Sequence, residues 1–230
     1  MDHQHLFLSA IGSDSVSVAE QQGLGLEITA FSMNDNLDRF FPETDREIRK
    51  QLRNISRCTL HAPYSELFPC AVDTRARELA AFRYRQSLDT ALSYGAQKVI
   101  IHGGYVPTQY FPCWFETESV KFWQSFMETV PEGPVICLEN VLETDPAWLV
   151  RIVKAVDHPQ LRLCLDVGHC NAYAREFTPE QWLTAFAPYL SHLHIHNNMG
   201  DKDAHNALPD GSIPMASLLK LAGKLCPDAT

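Results

Sequence analysis

The sequence lacks the features of membrane-spanning and exported proteins. No apolar run approaches the roughly 18 residues of a membrane span, and Met1–His5 does not begin a basic stretch followed by an apolar signal core. Positive charge is also scarce, since 19 Lys and Arg face 28 Asp and Glu, for a net charge of −9. Nucleic acids and anionic membranes bind basic surfaces. We therefore expect a cytoplasmic protein with a small soluble ligand.

Cysteine pairs with the spacing of redox or zinc-binding motifs are also missing. No two of the seven cysteines form a C-x-x-C motif. Cys58, Cys137 and Cys164 lie in or beside apolar runs, where free cysteine packs as a small hydrophobe. We expect reduced, structural cysteines, and Cys170, next to His169, is the nearest to a functional candidate.

Five short apolar runs each end on a residue that can bind a metal. Successive end residues are 27 to 41 positions apart, which suits one strand and one return helix, the repeat unit of a β/α barrel. In a closed parallel barrel the carboxyl ends of the strands meet at one mouth, so these side chains should converge there. They are His61, His102, Glu139, Asp166 and His194.

The hydrophobic pattern predicts seven strands with intervening helices. A chain of 230 residues with 45% hydrophobic content suits a single barrel domain, residues 1–230. Strands are expected at 5–11, 24–29, 57–61, 99–102, 135–139, 161–166 and 190–196, and the main helices at 14–22, 43–54, 73–94, 116–129, 146–156, 178–187 and 215–225. No eighth strand follows. The predicted fold is α/β, a (β/α)8 TIM barrel without its eighth strand in this chain.

The segment from Tyr105 to Phe115 is expected to form a loop over the mouth. It holds five aromatic residues and two prolines. We interpret it either as a lid that stacks on a substrate, with Tyr105 and Trp114 as contacts, or as a contact between copies in a homo-oligomer.

Each single candidate ligand has a structural alternative. Glu139 ends a strand expected to be buried on both faces, so its charge needs a partner, either a metal or a salt bridge. His61, taken alone, is a satisfied buried histidine, whereas the glycine pair after His102 lets a ligand approach the backbone closely. Asn140 either contacts a substrate hydroxyl or caps a loop.

The segment Asp166-Val-Gly-His169 is the sharpest local motif. It places an aspartate at a strand end and a histidine three residues later, and the glycine permits the turn between them. Both side chains are therefore expected to face the mouth. The alternative is an aspartate that caps the following helix.

The last predicted strand and the loop after it supply more histidines. His192, His194 and His196 alternate and so share one face of the strand, but only one of them need be a ligand. Asp203 and His205 lie in the following loop, which should overhang the mouth.

Together these segments resemble the xylose isomerase-like barrel superfamily. That superfamily holds sugar phosphate isomerases and epimerases, and also apurinic endonucleases of the endonuclease IV type. The similar segments follow the family's order from residue 60 to residue 213. They are Leu60-His-Ala-Pro-Tyr64, Ile101-His-Gly-Gly104, Cys137-Leu-Glu-Asn140, Leu163-Cys-Leu-Asp-Val-Gly-His169, Leu193-His-Ile-His196, Asp203-Ala-His205 and Gly211-Ser-Ile213.

The resemblance to isomerases and epimerases implies one divalent ion, Zn²⁺ or Mn²⁺, held by Glu139, Asp166 and His194. Such an ion polarises a substrate carbonyl and lowers the pKa of the adjacent C–H, while paired carboxylates, of which Glu139 is one, move the proton. The substrate implied is a small sugar, sugar phosphate or polyol. His169 is the second catalytic residue and helps to bind the substrate oxygens, and His61, His102 and Asn140 are left as substrate contacts.

The resemblance to endonuclease IV implies an alternative, a phosphodiesterase acting on abasic DNA with three zinc ions. All eight of the implied ligands are present. They are His61, His102, Glu139, Asp166, His169, His194, Asp203 and His205. The acidic charge balance opposes this alternative, because duplex binding draws on phosphate neutralisation, so nucleic acid is not the expected partner.

The chain departs from both families at one position. Both have a glutamate at the end of an eighth strand, and nothing after Asp228 supplies one. Glu27, which ends the second strand, would either compensate in part or form a structural salt bridge. A chain that is part of a longer product would explain the departure, and a third hypothesis is a barrel that binds metal or sugar without catalysis.

Overall fold

The sheet consists of seven parallel strands in chain order. The computed structural model describes residues 3–230, and within them each strand pairs in parallel with the next, so that the first and last strands are the sheet's two edges. This is the predicted α/β fold of the TIM-barrel type, with seven strands. The strands are β1 (Phe7–Ser9), β2 (Gly25–Ile28), β3 (Cys58–His61), β4 (Lys98–His102), β5 (Val135–Glu139), β6 (Leu161–Asp166) and β7 (Leu190–His194).

Helices connect the strands. None of those in residues 3–230 is both long enough and apolar enough to cross a bilayer. They are α1 (Ser15–Gln22), α2 (Asn34–Leu37), α3 (Phe41–Gln51), α4 (Thr74–Tyr94), α5 (Pro112–Met127), α6 (Pro146–Val156), α7 (Val167–Tyr173), α8 (Pro179–Phe186) and α9 (Met215–Leu225).

Local sequence signals set several helix ends as predicted. The Asp73 side chain accepts a hydrogen bond from the Arg75 N–H and caps α4, and Gly95 ends that helix at a φ of 67°, which favours glycine. Thr178 begins α8 with a capping box. These ends follow from residue type alone, because each depends on one or two neighbouring side chains.

Two predicted strands are too long. The strand expected at 5–11 covers only Phe7–Ser9, because His3–His5 form a 3-10 turn closed by a hydrogen bond from Leu6 N–H to His3 O. The strand expected at 190–196 ends at His194. Beyond it, Asn197 pairs with Asn206 in an antiparallel bridge, which turns the chain back on itself.

Several helices also differ from prediction, and the short helix α2 was not predicted. Helix α5 begins at Pro112 rather than near Glu116, so the predicted aromatic loop is a loop only in its first part; proline suits the first turn of a helix because its missing N–H has no partner there anyway. Helix α7 was not predicted, since it starts directly after β6 without a connecting loop.

The strands alternate between an outer apolar face and the barrel interior. Leu60, Ile101 and Leu165 are completely or almost completely buried in the main hydrophobic core, against the helices. Cys137 and Cys164 face inward beside Ile100. This alternation leaves the inward position at the carboxyl end of each strand free for a polar residue.

The cysteines confirm the packing prediction. All seven are free, and Cys58, Cys137 and Cys164 are buried. Burial raises the pKa of the Cys58 thiol to about 11. Cys170 is 1% exposed, and burial raises its pKa well above the ordinary range, so this thiol is a packing group rather than a nucleophile.

Thr230 lies against the exposed edge of β7. Its C=O accepts from the Leu193 N–H at 2.8 Å and its N–H donates to Ser191 O at 3.1 Å, the alternation of a parallel ladder. Its hydroxyl also accepts from Lys98 Nζ at 2.8 Å, and Lys98 Nζ donates to Ser191 O. These contacts fill the interior at the amino ends of β4 and β7.

Candidate metal centre

The end of β5 places one carboxylate among four histidines. Glu139 is 1% exposed, and the sheet register sets His102 directly beside it. Its oxygens lie 3.2 Å from His61 Nε2, 3.5 Å from His102 Nε2, 3.4 Å from His169 Nδ1 and 3.0 Å from His194 Nδ1. We call Glu139, His61, His102 and His194 the inner cluster.

Buried negative charge dominates the inner cluster. Burial alone would raise the pKa of Glu139, but the charge of His194 and the other surrounding histidines holds it well below its ordinary range. Burial lowers the pKa of His102 to about 3. Burial would also lower the pKa of His194, yet the charges of Glu27 and Glu139 raise it well above its ordinary value. Protons on histidine thus balance buried carboxylates, a role that a cation also fills.

Asp166 connects β6 to α7 and faces the inner cluster. Its Oδ1 accepts from the His169 N–H at 2.7 Å, so the helix cap that the sequence left as an alternative is formed. Its Oδ2 lies 3.6 Å from His169 Nδ1 and 3.7 Å from His194 Nδ1. One carboxylate therefore both caps α7 and faces the candidate metal site.

A second group lies at the outer rim, carried by α7 and by the chain after β7. Asp203 Oδ2 is 3.3 Å from His169 Nε2 and 2.9 Å from His205 Nε2. The His196 ring stacks on His205 at 3.9 Å, and its Nε2 is 3.0 Å from Asp166 Oδ1. We call His169, His196, Asp203 and His205 the outer cluster.

The outer cluster is less buried than the inner one. The His205 side chain is 53% exposed and that of Asp203 is 20% exposed. Burial by itself raises the pKa of Asp203, but its hydrogen bond with His169 and the charge of that ring lower it to about 2. Burial likewise lowers the pKa of His169, and the charge of Asp166 leads the effects that raise it to about 10. His169 therefore interacts electrostatically with both Asp166 and Asp203.

Gly168 makes room for His196. A Cβ at this position would lie 1.9 Å from Cε1 of the His196 ring. The glycine of the Asp166-Val-Gly-His169 motif therefore does more than permit a turn. His196 was only one of three alternating histidines in the sequence, and this contact across elements explains its position.

Asn140 holds β5 to β6. Its Nδ2 donates to Asp166 O at 3.0 Å and its Oδ1 accepts from the Asp166 N–H at 2.9 Å, and the residue is 1% exposed. These hydrogen bonds to the Asp166 backbone give Asn140 a structural role. A substrate contact by Asn140 stays a prediction.

The two aromatic residues predicted to touch substrate are engaged with the protein. The Tyr105 ring packs edge-on against Phe115 and Trp148, and Trp114 Nε1 donates to Cys70 O at 2.9 Å. Tyr105 thus packs on α5 and α6, and Trp114 bonds to the loop between β3 and α4. Their contact with a substrate stays a prediction.

A different aromatic ring lies over the inner cluster. Tyr64 stacks on His102 at 4.5 Å between ring centroids and is 44% exposed. The sequence carried a weak signal for it, because Tyr64 ends the segment Leu60-His-Ala-Pro-Tyr64 quoted for the family resemblance.

Glu27 reaches the site from β2. It is 5% exposed, and its carboxylate lies 3.2 Å from His192 Nε2 and 3.1 Å from His194 Nε2. The Thr59 hydroxyl donates to it at 3.1 Å. Burial would raise the pKa of Glu27, but the charges and hydrogen bonds of His194 and His192 together hold it well below its ordinary range. This ionic contact is compatible with both alternatives from the sequence, a substitute metal ligand and a structural salt bridge.

The donor set fits a divalent transition metal. Imidazole nitrogens and carboxylate oxygens are the ligands of zinc and related ions, and Asp203 Oδ1 and His196 Nδ1 are buried without a hydrogen bond. In residues 3–230, four triads bring one ligand atom from each member within 4.8 Å of the others. They are Glu27–His192–His194, His61–Glu139–His194, Glu139–Asp166–His169 and His169–Asp203–His205.

Comparison with known proteins agrees with this architecture. The family model described as a xylose isomerase-like TIM barrel matches residues 8–225. An uncharacterized protein of Methanocaldococcus jannaschii is 28% identical over 172 residues, which cover 70% of this chain and 58% of that protein. A second one from the same organism is 25% identical, with 67% of this chain and 61% of that protein covered. The chain thus spans about three fifths of the length of the curated relatives it matches.

Solved structures share the fold. A D-tagatose 3-epimerase-like protein superposes with a TM-score of 0.75 at 21% identity, covering 98% of this chain and 88% of that one. The IolI protein with a bound zinc atom gives 0.73 at 15% identity, covering 96% and 85%. Endonuclease IV from Thermus thermophilus gives 0.60 at 19% identity, covering 97% and 88%. The chain belongs to the xylose isomerase-like TIM barrel family, as its resemblance predicted.

Proposed function

We propose that this family member binds a divalent ion, Zn²⁺ or Mn²⁺, and isomerises or epimerises a small sugar, sugar phosphate or related polyol. One observation carries the proposal: two carboxylates that are almost completely buried lie beside the same histidine nitrogen. Glu139 Oε1 is 3.0 Å and Asp166 Oδ2 is 3.7 Å from His194 Nδ1. These three residues are the proposed ligands. Their donor atoms come from three adjacent strands, so the sheet holds them rigidly.

The proposed chemistry is proton transfer next to a carbonyl. A bound ion supplies polarisation of the substrate carbonyl, which lowers the pKa of the neighbouring C–H. The Glu139 carboxylate would accept the proton from that carbon and can return it to the adjacent carbon on the same side. Delivery to the opposite face of the carbon needs a second proton donor, the role we propose for His169. The reaction is redox-neutral and needs no second reactant. His169, held between Asp166 and Asp203, binds substrate oxygens.

The comparisons support a sugar-type substrate. Solved structures with this fold include a D-tagatose 3-epimerase-like protein and a D-psicose 3-epimerase from Clostridium cellulolyticum H10 with D-tagatose. The zinc atom in the IolI protein supports zinc as one of the candidate ions. The acidic net charge of −9 also favours a small ligand over nucleic acid.

Elemental analysis and isotope exchange test the proposal. The purified chain is expected to retain at least one divalent ion, and to incorporate solvent deuterium at the carbon next to the carbonyl of a ketose substrate. A panel of ketoses and ketose phosphates covers the proposed class. Absence of bound metal after incubation with Zn²⁺ and Mn²⁺ would refute the proposal. Metal without exchange would favour a barrel that binds without catalysis.

The outer cluster favours one alternative, a zinc phosphodiesterase acting on abasic DNA. His169, Asp203 and His205 form a triad beyond what a single ion needs, and they complete the eight-ligand set that the endonuclease resemblance implies. This alternative requires three zinc ions per chain and incision of a duplex with one abasic site. One ion and no incision would exclude it.

A further inference from the structure

His194 is held from both sides by carboxylates. Its Nδ1 lies 3.0 Å from Glu139 Oε1, and its Nε2 lies 3.1 Å from Glu27 Oε1. Nδ1 is also the nitrogen nearer Asp166, with Oδ2 at 3.7 Å. The two ring nitrogens therefore face different groups: Nδ1 faces the proposed ligands, and Nε2 faces β2.

A neutral imidazole can ligate a metal through only one nitrogen, and the other then carries the proton. Which nitrogen is free is set by the hydrogen bond that the other one makes. If Nδ1 binds the ion alongside Glu139 and Asp166, Nε2–H has Glu27 as its acceptor. The carboxylate on β2 therefore selects the tautomer in which Nδ1 presents its lone pair to the metal site.

Glu27 is itself held in place by other groups. Thr59 on the neighbouring strand donates to its Oε2 at 3.1 Å, and His192 Nε2 lies 3.2 Å from the same oxygen. The other nitrogen of His192 is 2.6 Å from the Thr230 hydroxyl. With these partners and only 5% exposure, the carboxylate is oriented before any ion arrives.

We infer that Glu27 is a positioning residue of the metal centre, fixing the ring orientation and tautomer of His194 without binding the ion. This inference rests on the metal-binding part of the proposed function. The family resemblance supplied no role for a second-strand carboxylate, and the sequence left Glu27 between a substitute ligand and a salt bridge. The contact of Glu27 with the ring nitrogen of His194 that faces away from Glu139 and Asp166 supports the positioning role.

Zinc titration of Glu27→Gln tests the inference. We expect the dissociation constant for the first Zn²⁺ to rise 10- to 100-fold, the effect typical of outer partners of a ligand, while the number of bound ions stays as in the unmodified chain. Glu143→Gln is the matched control, because Glu143 is an equally buried carboxyl that accepts from the backbone N–H groups of Val141 and Tyr105 rather than from a histidine. It should leave zinc affinity unchanged.

Imidazole ¹⁵N spectra provide a readout that simple loss of packing would not move. In the zinc-loaded unmodified chain, His194 should show a proton on Nε2 and the metal on Nδ1; in Glu27→Gln this preference should weaken. The first of these measurements needs no substitution, so it remains decisive if the variant does not fold. Zinc bound at Nε2 would overturn the inference.

Two further outcomes would overturn the inference. Unchanged affinity in Glu27→Gln would show that Glu27 does not position His194, and loss of one full zinc equivalent would make Glu27 a ligand, in the triad Glu27–His192–His194. Failure of the proposed function is distinguishable, because then the unmodified chain itself binds no divalent metal.

Discussion

The inner and outer clusters are built from different kinds of backbone. The inner cluster sits at the ends of β3, β4, β5 and β7, where strand pairing sets His102 beside Glu139 and Asp166 beside His194. The outer cluster sits on α7 and on the chain after β7, and His205 adopts a φ of 48°, uncommon for a residue with a side chain. Ladder hydrogen bonds thus hold one half of the site, and loop contacts hold the other.

Side-chain amides replace the ladder in the outer half. Asn197 Nδ2 donates to Leu208 O at 2.8 Å and its Oδ1 accepts from the Ile213 N–H at 3.1 Å. Asn197 and Asn206 exchange backbone hydrogen bonds of 3.0 and 2.8 Å. The loop that carries Asp203 and His205 therefore depends on a few polar contacts of the buried Asn197 side chain. We expect the inner cluster to bind its ion more tightly, because its ligands need less ordering on binding.

The largest expected effect is from Glu139→Gln. This change removes the charge that four histidines surround, so zinc affinity should fall by more than the 10- to 100-fold typical of an outer partner. Competition with a chelator of known zinc affinity measures the change. Glu132→Gln, at an exposed position, is the control. Retention of tight zinc binding in Glu139→Gln would mean that the outer cluster is the stronger site.

Glu143→Gln tests a buried carboxyl outside the two clusters through pH. Burial raises the pKa of Glu143 from 4.5 to about 7, although backbone N–H groups oppose the shift. A carboxyl with a raised pKa in the folded state contributes stability that is present below pH 4.5 and is lost as the pH rises through about 7. The loss is at most about 3 kcal/mol.

The measurement is the free energy of unfolding by urea at several pH values. Other carboxylates, such as Glu27 and Glu139, titrate in acid, so the informative quantity is the difference between the unmodified chain and Glu143→Gln. We expect the glutamine variant to gain relative stability as the pH rises through the window from 4.5 to about 7. A difference that does not vary with pH would contradict the assignment.

Gly168→Ala should displace the ring of His196, a member of the outer cluster. The added Cβ would lie 1.9 Å from the His196 ring, so the ring must move or the helix must shift, at a cost of about 1–3 kcal/mol. Urea unfolding measures the cost, and zinc stoichiometry shows whether the outer cluster is lost.

Gly223→Ala is the matched control for that change. Gly223 lies within α9, and a Cβ there meets nothing within 4 Å. Alanine is the better helix former by about 0.5–1 kcal/mol, so this variant should be stabilised. Equal changes of the same sign in both variants would exclude the steric explanation.

The smallest effect on stability is expected for His205→Ala. The side chain is 53% exposed, so the free energy of unfolding should change by no more than about 0.5 kcal/mol. Any ion at the outer cluster should be lost while the inner ion stays, as measured by elemental analysis after dialysis. His205→Asn is a useful second variant, because asparagine tolerates positive φ. Loss of all bound metal from His205→Ala would remove the distinction between the clusters.

Much of the inner site was predictable because it follows from strand periodicity. Successive residues along a strand point alternately inward and outward, and the carboxyl ends of parallel strands lie on the same side of the sheet. His61, His102, Glu139, Asp166 and His194 therefore converge as expected. Contacts between elements distant in sequence were not predictable in the same way. No local pattern shows that Tyr64 stacks on His102, or that Tyr105 packs against Trp148.

Hydrophobic alternation and the spacing of the return helices were enough to predict the strand order, the parallel sheet and the five candidate metal-binding residues at the strand ends. The orientation of each imidazole came from the fold instead. It placed Glu27 against the far nitrogen of His194 and His196 in the space above Gly168. Ring orientation depends on hydrogen bonds and packing between elements that are far apart in the chain. Two such elements, β2 and β7, come together only when the sheet curls.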